Sequence, residues 1–236
     1  MVRIKTRLSR FKEIKMKIAL DGPSGAGKST VAKALAKKLG IIYVDTGALY
    51  RTVGLYVKNQ GVSKDDEEKV ISLLPEIKLD MQFINGEQIV TLNGVNVGDT
   101  IRTGEIAMYA SRVSAIPEVR AFLLETQRKI ARENSVVMDG RDIGTVILPD
   151  AEVKVFMFAS AEARAERRYK ELIAKGESCT LESVLADIKL RDHNDSTRKT
   201  APAIPADDAV MLDNSNLDID GTVDAVIDII KAKVEL

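Results

Sequence analysis

Residues Asp21-Gly22-Pro23-Ser24-Gly25-Ala26-Gly27-Lys28-Ser29-Thr30 carry the spacing G-x-x-x-x-G-K-S from Gly22 to Ser29. Glycines placed this way let successive backbone N–H groups face one anion, Lys28 adds a point charge, and the Ser29 hydroxyl is a ligand for Mg²⁺. The chemistry is that of holding nucleotide phosphates, with Gly22, Pro23, Ser24, Gly25, Ala26, Gly27, Lys28, Ser29 and Thr30 as the cradle. A second phosphate needs charges of its own, and three groups of residues offer them. Arg51 lies one turn into a helix expected after Thr46, where a hydroxyl, helix N-terminal amides and a guanidinium can converge on an anion. Arg141 and Asp142 follow Asp139-Gly140 at the end of an apolar run. Arg191, Asp195 and Arg198 recur at i, i+4 and i+7, one face of a helix that Pro202 and Pro205 should end.

Each group also has a plainer reading. Arg191 and Asp195 have the spacing of a solvated ion pair worth a few tenths of a kcal/mol, and Arg51 alone could be a solvated helix residue. Arg141 and Asp142 resist such a reading, because charges at the end of a buried strand need partners. Arg164, Arg167 and Arg168 form a basic helical face that suits either a mobile lid over a triphosphate or plain solubility. His193, between Asp192 and Asn194, reads as exposed, and Cys179 precedes Thr180 at a helix start. Neither has the paired base that a nucleophile requires.

The elements that must position these residues follow from periodicity. Ile18-Ala19-Leu20 runs into the cradle, and Val31 to Leu39 has helical apolar spacing that stops at Gly40. Further strands are predicted over 41–45, 135–139, 153–158 and 209–213, separated by helical or mixed segments. A helix is predicted from about Leu49 to Lys58, with Thr46 placed to cap it. This alternation predicts a parallel sheet with helices on both faces, and ligands at the strand ends place Asp45 and Asp139 near the phosphate loop. Residues 77–97 break the rhythm. Two short β-type runs with Asn85-Gly86 and Asn93-Gly94 between and after them predict an antiparallel meander inserted between the second and third core strands.

Composition bounds the function. The chain has 236 residues, 45% of them hydrophobic, which is enough for one α/β core with an appended lobe. Its 35 basic residues balance 35 acidic ones, so no global field argues for nucleic-acid or membrane partners. One cysteine and one histidine exclude an internal disulfide and a Cys/His zinc cluster, and fit a reducing cytoplasm. No apolar stretch reaches the length of a membrane span. Residues 1–15 differ from the rest, with six basic residues against Glu13; such an arm could touch RNA or acidic partners, but it reads rather as a frayed or unprocessed leader and is assigned no function.

Taken together, four strings resemble the bacterial cytidylate kinases: Asp21 to Ser29; Asp45-Thr46-Gly47-Ala48-Leu49-Tyr50-Arg51; Asp139-Gly140-Arg141-Asp142-Ile143-Gly144-Thr145-Val146; and Arg191-Asp192 through Arg198. The phosphate loop is shared with many unrelated NTPases, whereas the second and third strings together are specific. The resemblance runs from about Met16 to the C-terminus. It implies a P-loop nucleoside-monophosphate kinase: a three-layer α/β fold with a central parallel five-stranded sheet, a mobile lid over about 161–200, and an acceptor-binding lobe over about 46–120. That lobe would carry the antiparallel meander as an insert over about 75–105, and residues 1–15 would be a basic N-terminal extension to a domain of residues 16–236.

The activity so implied is transfer of the γ-phosphoryl group of ATP, with Mg²⁺ on Ser29, to CMP or dCMP. The implied setting is a cytoplasmic monomer without nucleic-acid or membrane partners. Carried over residue by residue, the resemblance gives Lys28, Arg141 and Arg198 catalytic roles. It puts the acceptor phosphate on Arg51, Arg141 and Arg198, the sugar on Arg191 and Asp195, and cytosine on Ser111, Arg120 and Asp142, with Thr46 as a further substrate-binding residue. That last trio is chemically apt, since cytosine offers an amine donor for a carboxylate and O2 and N3 acceptors for a hydroxyl and a guanidinium. Thr46 stands where many members have serine and Ser29 where many have glycine. The basic arm is a departure from the family pattern.

Overall fold

The apolar run before the cradle becomes the central strand β1 (Lys17–Asp21) of the computed structural model, which describes residues 15–84 and 86–234. Ile18 and Leu20 belong to the core layer of Val31 and Leu35, and Ala19 to the opposite layer with Leu49 and Val53. A strand covered on both faces has no solvent side, which is why its sequence does not alternate. After β1 the chain runs through α1 (Lys28–Leu39), β2 (Ile42–Asp45), α2 (Thr46–Asn59), α3 (Glu67–Leu73), β3 (Leu79–Ile84), β4 (Glu87–Leu92) and β5 (Val95–Asn96). It continues with α4 (Gly104–Val113), α5 (Pro117–Glu133), β6 (Val136–Asp139), β7 (Val153–Phe158), α6 (Ala161–Ala174), α7 (Leu181–Thr197), β8 (Val210–Asp213) and α8 (Ile219–Lys233).

The five predicted core strands form one sheet in the order β2-β6-β1-β7-β8, with every neighbouring pair parallel. Helices cover both faces, so the α/β P-loop architecture holds. Asp45 lies opposite Asp139 in register, and Asp139 opposite Leu20, so the carboxylates of Asp21, Asp45 and Asp139 crowd one edge of the sheet. That edge is the carboxyl end of the strands, where α/β proteins bind ligands.

The meander also forms, between β2 and β6 as predicted. Leu92 pairs with Val95 across Asn93 and Gly94, whose φ values of 51° and 83° are the two positive angles of a type I′ turn. Met81, Val90 and Leu92 join the core layer of Leu74, Ile77 and Ile101, which holds the meander against the lobe.

Two helix ends depart from the sequence reading. Thr46 does not cap α2: Asp45 does, accepting from Ala48 N at 3.0 Å, while the Thr46 hydroxyl donates to Asp139 O at 2.8 Å. Pro202 and Pro205 do not end α7, which stops at Thr197 with Arg198 already extended at ψ 143°. The Ser196 and Thr197 hydroxyls both donate to His193 O, at 3.2 and 2.7 Å, and such side-chain bonds compete with the helical ladder. No helix among the described residues is long and apolar enough to cross a membrane. The extension expected over 1–15 lies outside the described residues except for Lys15.

Candidate active site

A cleft of about 960 Å³ opens over the carboxyl edge of the sheet. Its floor is the phosphate loop between β1 and α1. Gly27 leaves the loop at φ 82°, a left-handed conformation that glycine adopts without strain, and α1 begins at Lys28 with its N-terminal amides toward the cleft. Ser24, Gly25, Gly27, Lys28, Ser29 and Thr30 line the cleft. Gly22, Pro23 and Ala26 form the back of the loop. Ala26 is fully buried, and a Cβ on Gly22 would stand 1.9 Å from Met157 O.

Lys28 is buried, and its Nζ donates to Pro23 O at 2.7 Å. Burial, with the Arg141 charge second, holds its ammonium well below the ordinary lysine range. Ser29 Oγ donates to Asp139 Oδ2 at 2.6 Å, and Tyr43 OH to Asp139 Oδ1 at 2.9 Å. Burial, reinforced by the Asp45 charge, raises the Asp139 carboxyl. One hydroxyl and one carboxylate so placed are hard oxygen donors of the kind Mg²⁺ takes, leaving the rest of a six-oxygen shell to phosphate and water. The residues present fit that ion.

Opposite the loop, the sequence-predicted arginines come together. Arg51 Nη2 pairs with Asp45 Oδ2 at 2.6 Å, and Arg141 Nε with Asp195 Oδ2 at 3.0 Å. Arg120 forms a buried ion pair with Asp142, donates from Nη1 to Ser114 O at 3.0 Å, and lies over the Tyr50 ring. Arg198 Nε donates to Ala201 O at 2.7 Å, its Nη1 reaches Ser114 Oγ at 3.5 Å, and its Nη2 is 3.9 Å from Asp142 Oδ1. Burial first and the Arg141 charge second bring Arg191 down to about 10, and burial with the Arg120 charge lowers Arg198. Nε of Arg51, Nε of Arg191 and Nη2 of Arg198 are buried without a hydrogen-bond partner among the described residues. Buried guanidinium donors left unpaired cost stability, and all three side chains line the cleft together with Thr46, Ser111, Arg120, Arg141, Asp142 and Asp195. Donors arranged this way beside the phosphate loop could hold an anion.

Burial decides two of the plainer readings. Asp195 is buried and pairs with Arg141, not in a solvated bond to Arg191. Arg164, Arg167 and Arg168 do not share one exposed face, because Arg164 is buried.

Comparison with known proteins gives the family. The sequence model of cytidylate kinase matches residues 18–232. The chain is 50% identical over 220 residues to the cytidylate kinase of Thermosipho melanesiensis, covering 93% of this chain and 99% of that one. The chain belongs to the cytidylate kinase family. It is also 49% identical over 219 residues to the cytidylate kinase of Ligilactobacillus salivarius, covering 93% and 98% of the two chains. An uncharacterized protein from Eubacterium ventriosum shares the fold, with a TM-score of 0.50 at 16% identity over 92% of this chain and 99% of that one.

Several contacts that hold this cleft together are not legible from motifs. Arg164 donates to Ser24 O at 3.0 Å and Ala159 O at 2.9 Å and pairs with Asp192 at 2.7 Å, clamping α6 and α7 onto the phosphate loop. Asn214 Nδ2 donates to Ala26 O at 2.9 Å, holding the same loop from β8. Gln88 reaches from the meander to Asp45, accepting from its N–H at 2.7 Å and donating to its C=O at 3.1 Å. Ser114, one turn after Ser111, serves both Arg120 and Arg198. Most of these contacts end on backbone carbonyls or amides, which leave no trace in side-chain spacing.

Proposed function

We propose that this protein transfers the γ-phosphoryl group of ATP to CMP or dCMP, giving ADP and CDP or dCDP. The observation that carries the reading is the convergence of Arg51, Arg141, Arg191 and Arg198 opposite the phosphate cradle, with unpaired buried donors on three of them. A protein that bound one nucleotide as a switch would have no use for that second set. The family's printed name, shared by relatives about half identical to this chain, supports CMP as the acceptor.

In this reading ATP lies with its phosphates on Gly25, Gly27, Lys28, Ser29 and Thr30. The acceptor phosphate is held by Thr46, Arg51, Arg141 and Arg198, and the sugar by Arg191 and Asp195. Asp142 accepts from the cytosine amine, while Ser111 and Arg120 donate to O2 and N3. A carboxylate has about four acceptor sites, so Asp142 can bond Arg120 and still receive the amine. Uracil would bring a carbonyl against that carboxylate and leave buried groups unpaired. Ser29 and Asp139 would hold Mg²⁺, which when bound neutralises charge on the transferred phosphate.

The chemistry demands alignment more than proton transfer. The attacking oxygen belongs to a phosphate already ionised near neutral pH, so no general base is required. Two polyanions must instead be brought together, and Lys28, Arg141 and Arg198 supply the charge that offsets their repulsion in the transition state. Residues 161–200 act as a lid that keeps water from the phosphoryl group, with Arg167 and Arg168 on the cleft side. A monomer in the cytoplasm completes the reading; the lone cysteine, which rules out an internal disulfide, bears only on the compartment.

Chromatographic product analysis tests this. ATP, Mg²⁺ and CMP should yield CDP and ADP in equal amounts, and chelating the metal should stop the reaction. ADP formed without CDP would contradict it.

A further inference from the structure

Asp21 ends β1, is buried, and has no hydrogen-bonded cation among the described residues. Its Oδ1 accepts from Ile143 N at 2.8 Å and its Oδ2 from Gly144 N at 2.7 Å. Those two amides follow directly on Arg141 and Asp142. The start of the same loop is tied to β1 as well, through Gly140 N donating to Leu20 O at 3.0 Å. On its other side Asp21 is bonded to Gly22, where φ is 142° and a Cβ has no room against Met157. Gly144 is similarly confined, since a Cβ there would lie 3.1 Å from Lys154 Cδ. One carboxylate therefore spans the first residue of the phosphate cradle and the last residues of the acceptor loop.

The choice of a carboxylate is informative. Burial pushes it up to about 6 even though both amides and the Lys28 charge favour ionisation, so the group is costly where it stands. Packing alone would be served by a neutral side chain. Two neighbouring N–H groups, however, need two acceptor oxygens, and asparagine offers one acceptor and turns an NH₂ toward the other amide.

We propose that Asp21 is a positioning residue which, by capturing the amides of Ile143 and Gly144, fixes Arg141 and Asp142 relative to the phosphate cradle and so sets both transfer geometry and base selectivity. The inference rests on Arg141 and Asp142 meeting the acceptor nucleotide. It differs from a structural role in what it moves.

Asp21→Asn should lower kcat with CMP by about tenfold or more while KM for ATP stays within about twofold, because alignment and not donor binding is lost. The ratio of kcat/KM for CMP over UMP should fall at least about fivefold. A folded variant with a lower melting temperature but unchanged kcat and unchanged ratio would overturn the proposal. If the variant does not fold, amide exchange in the wild-type enzyme decides: CMP should slow exchange at Ile143 and Gly144 by about tenfold more than at a core amide such as Val155. Equal effects at all three would overturn it. A wild-type enzyme that showed no preference for CMP would instead overturn the acceptor reading, and the role of Asp21 with it. Wild-type preference retained in full by the variant would remove Asp21 alone.

Discussion

Arg120 and Asp142 form an ion pair in the wall of the cleft, both buried, and the second Asp142 oxygen faces Arg198 Nη2 at 3.9 Å. One carboxylate thus serves two guanidiniums in the pocket where the acceptor base is proposed to lie. Removing it outright would strand Arg120 as an uncompensated buried charge, at a cost of about 3 to 5 kcal/mol. A loss of activity on truncation would then report folding as much as recognition.

Asp142→Asn keeps the shape but also removes the charge facing Arg120, so recognition is read from the ratio of CMP to UMP, in which a folding loss cancels. If Asp142 accepts the cytosine amine, kcat/KM for CMP should fall by about 1 to 3 kcal/mol, while UMP changes little or improves. Steady-state kinetics with both nucleotides on the same preparation check this. An equal loss on both would mean that Asp142 supports Arg120 and Arg198 without reading the base.

Lys28 is buried at the N-terminus of α1 and folds back on Pro23 O. Its charge should matter more to the transition state than to bound ATP, so Lys28→Met should lower kcat at least about a hundredfold, nearly 3 kcal/mol. Near-normal kcat would show that transfer does not occur at this loop.

Arg198 leaves the helix at its last turn and keeps one buried N–H without a partner. Arg198→Ala should cut kcat/KM for CMP by about 2 kcal/mol or more, and Arg198→Lys should recover only part of it, since lysine lacks the planar fork. Wild-type kinetics in Arg198→Ala would leave acceptor binding to Arg51 and Arg141.

The cradle was legible in the sequence because its chemistry is local: Gly22 to Ser29 are contiguous, and β1 and α1 flank them. The five core strands and the inserted meander followed from apolar runs and the Asn93-Gly94 turn for the same reason, whereas the order β2-β6-β1-β7-β8 has no local signal. Arg191 and Asp195 are open to misreading because their spacing suggests a local pair, whereas Asp195 takes Arg141, far away in the chain, where α7 meets the loop after β6. The end of α7 was misplaced because hydroxyl bonds to His193 O act before the prolines do. Asp21 and Arg164 stand in strings that the sequence picks out, but the roles they take do not show there, since their partners are chiefly backbone atoms distant in the chain.

Asp21 also makes a statement about pH. Its carboxyl is raised by burial from 3.8 to about 6, so the native state keeps a proton that the unfolded chain has released. Stability from this group is present below the unfolded value and is lost as pH rises through about 6, on the order of 3 kcal/mol in all. Denaturant unfolding at several pH values should therefore show wild type losing stability relative to Asp21→Asn between about pH 4 and 7. A difference that does not change with pH would contradict the burial of an ionisable carboxylate there.

The most direct measurement is a set of initial rates with ATP and Mg²⁺ against CMP, dCMP, UMP and AMP at matched concentrations. CMP and dCMP should be turned over rapidly, with UMP and AMP poorer by at least about tenfold in kcat/KM, because in the proposed site cytosine alone would match the Ser111, Arg120 and Asp142 wall. Turnover of AMP faster than CMP would contradict the account.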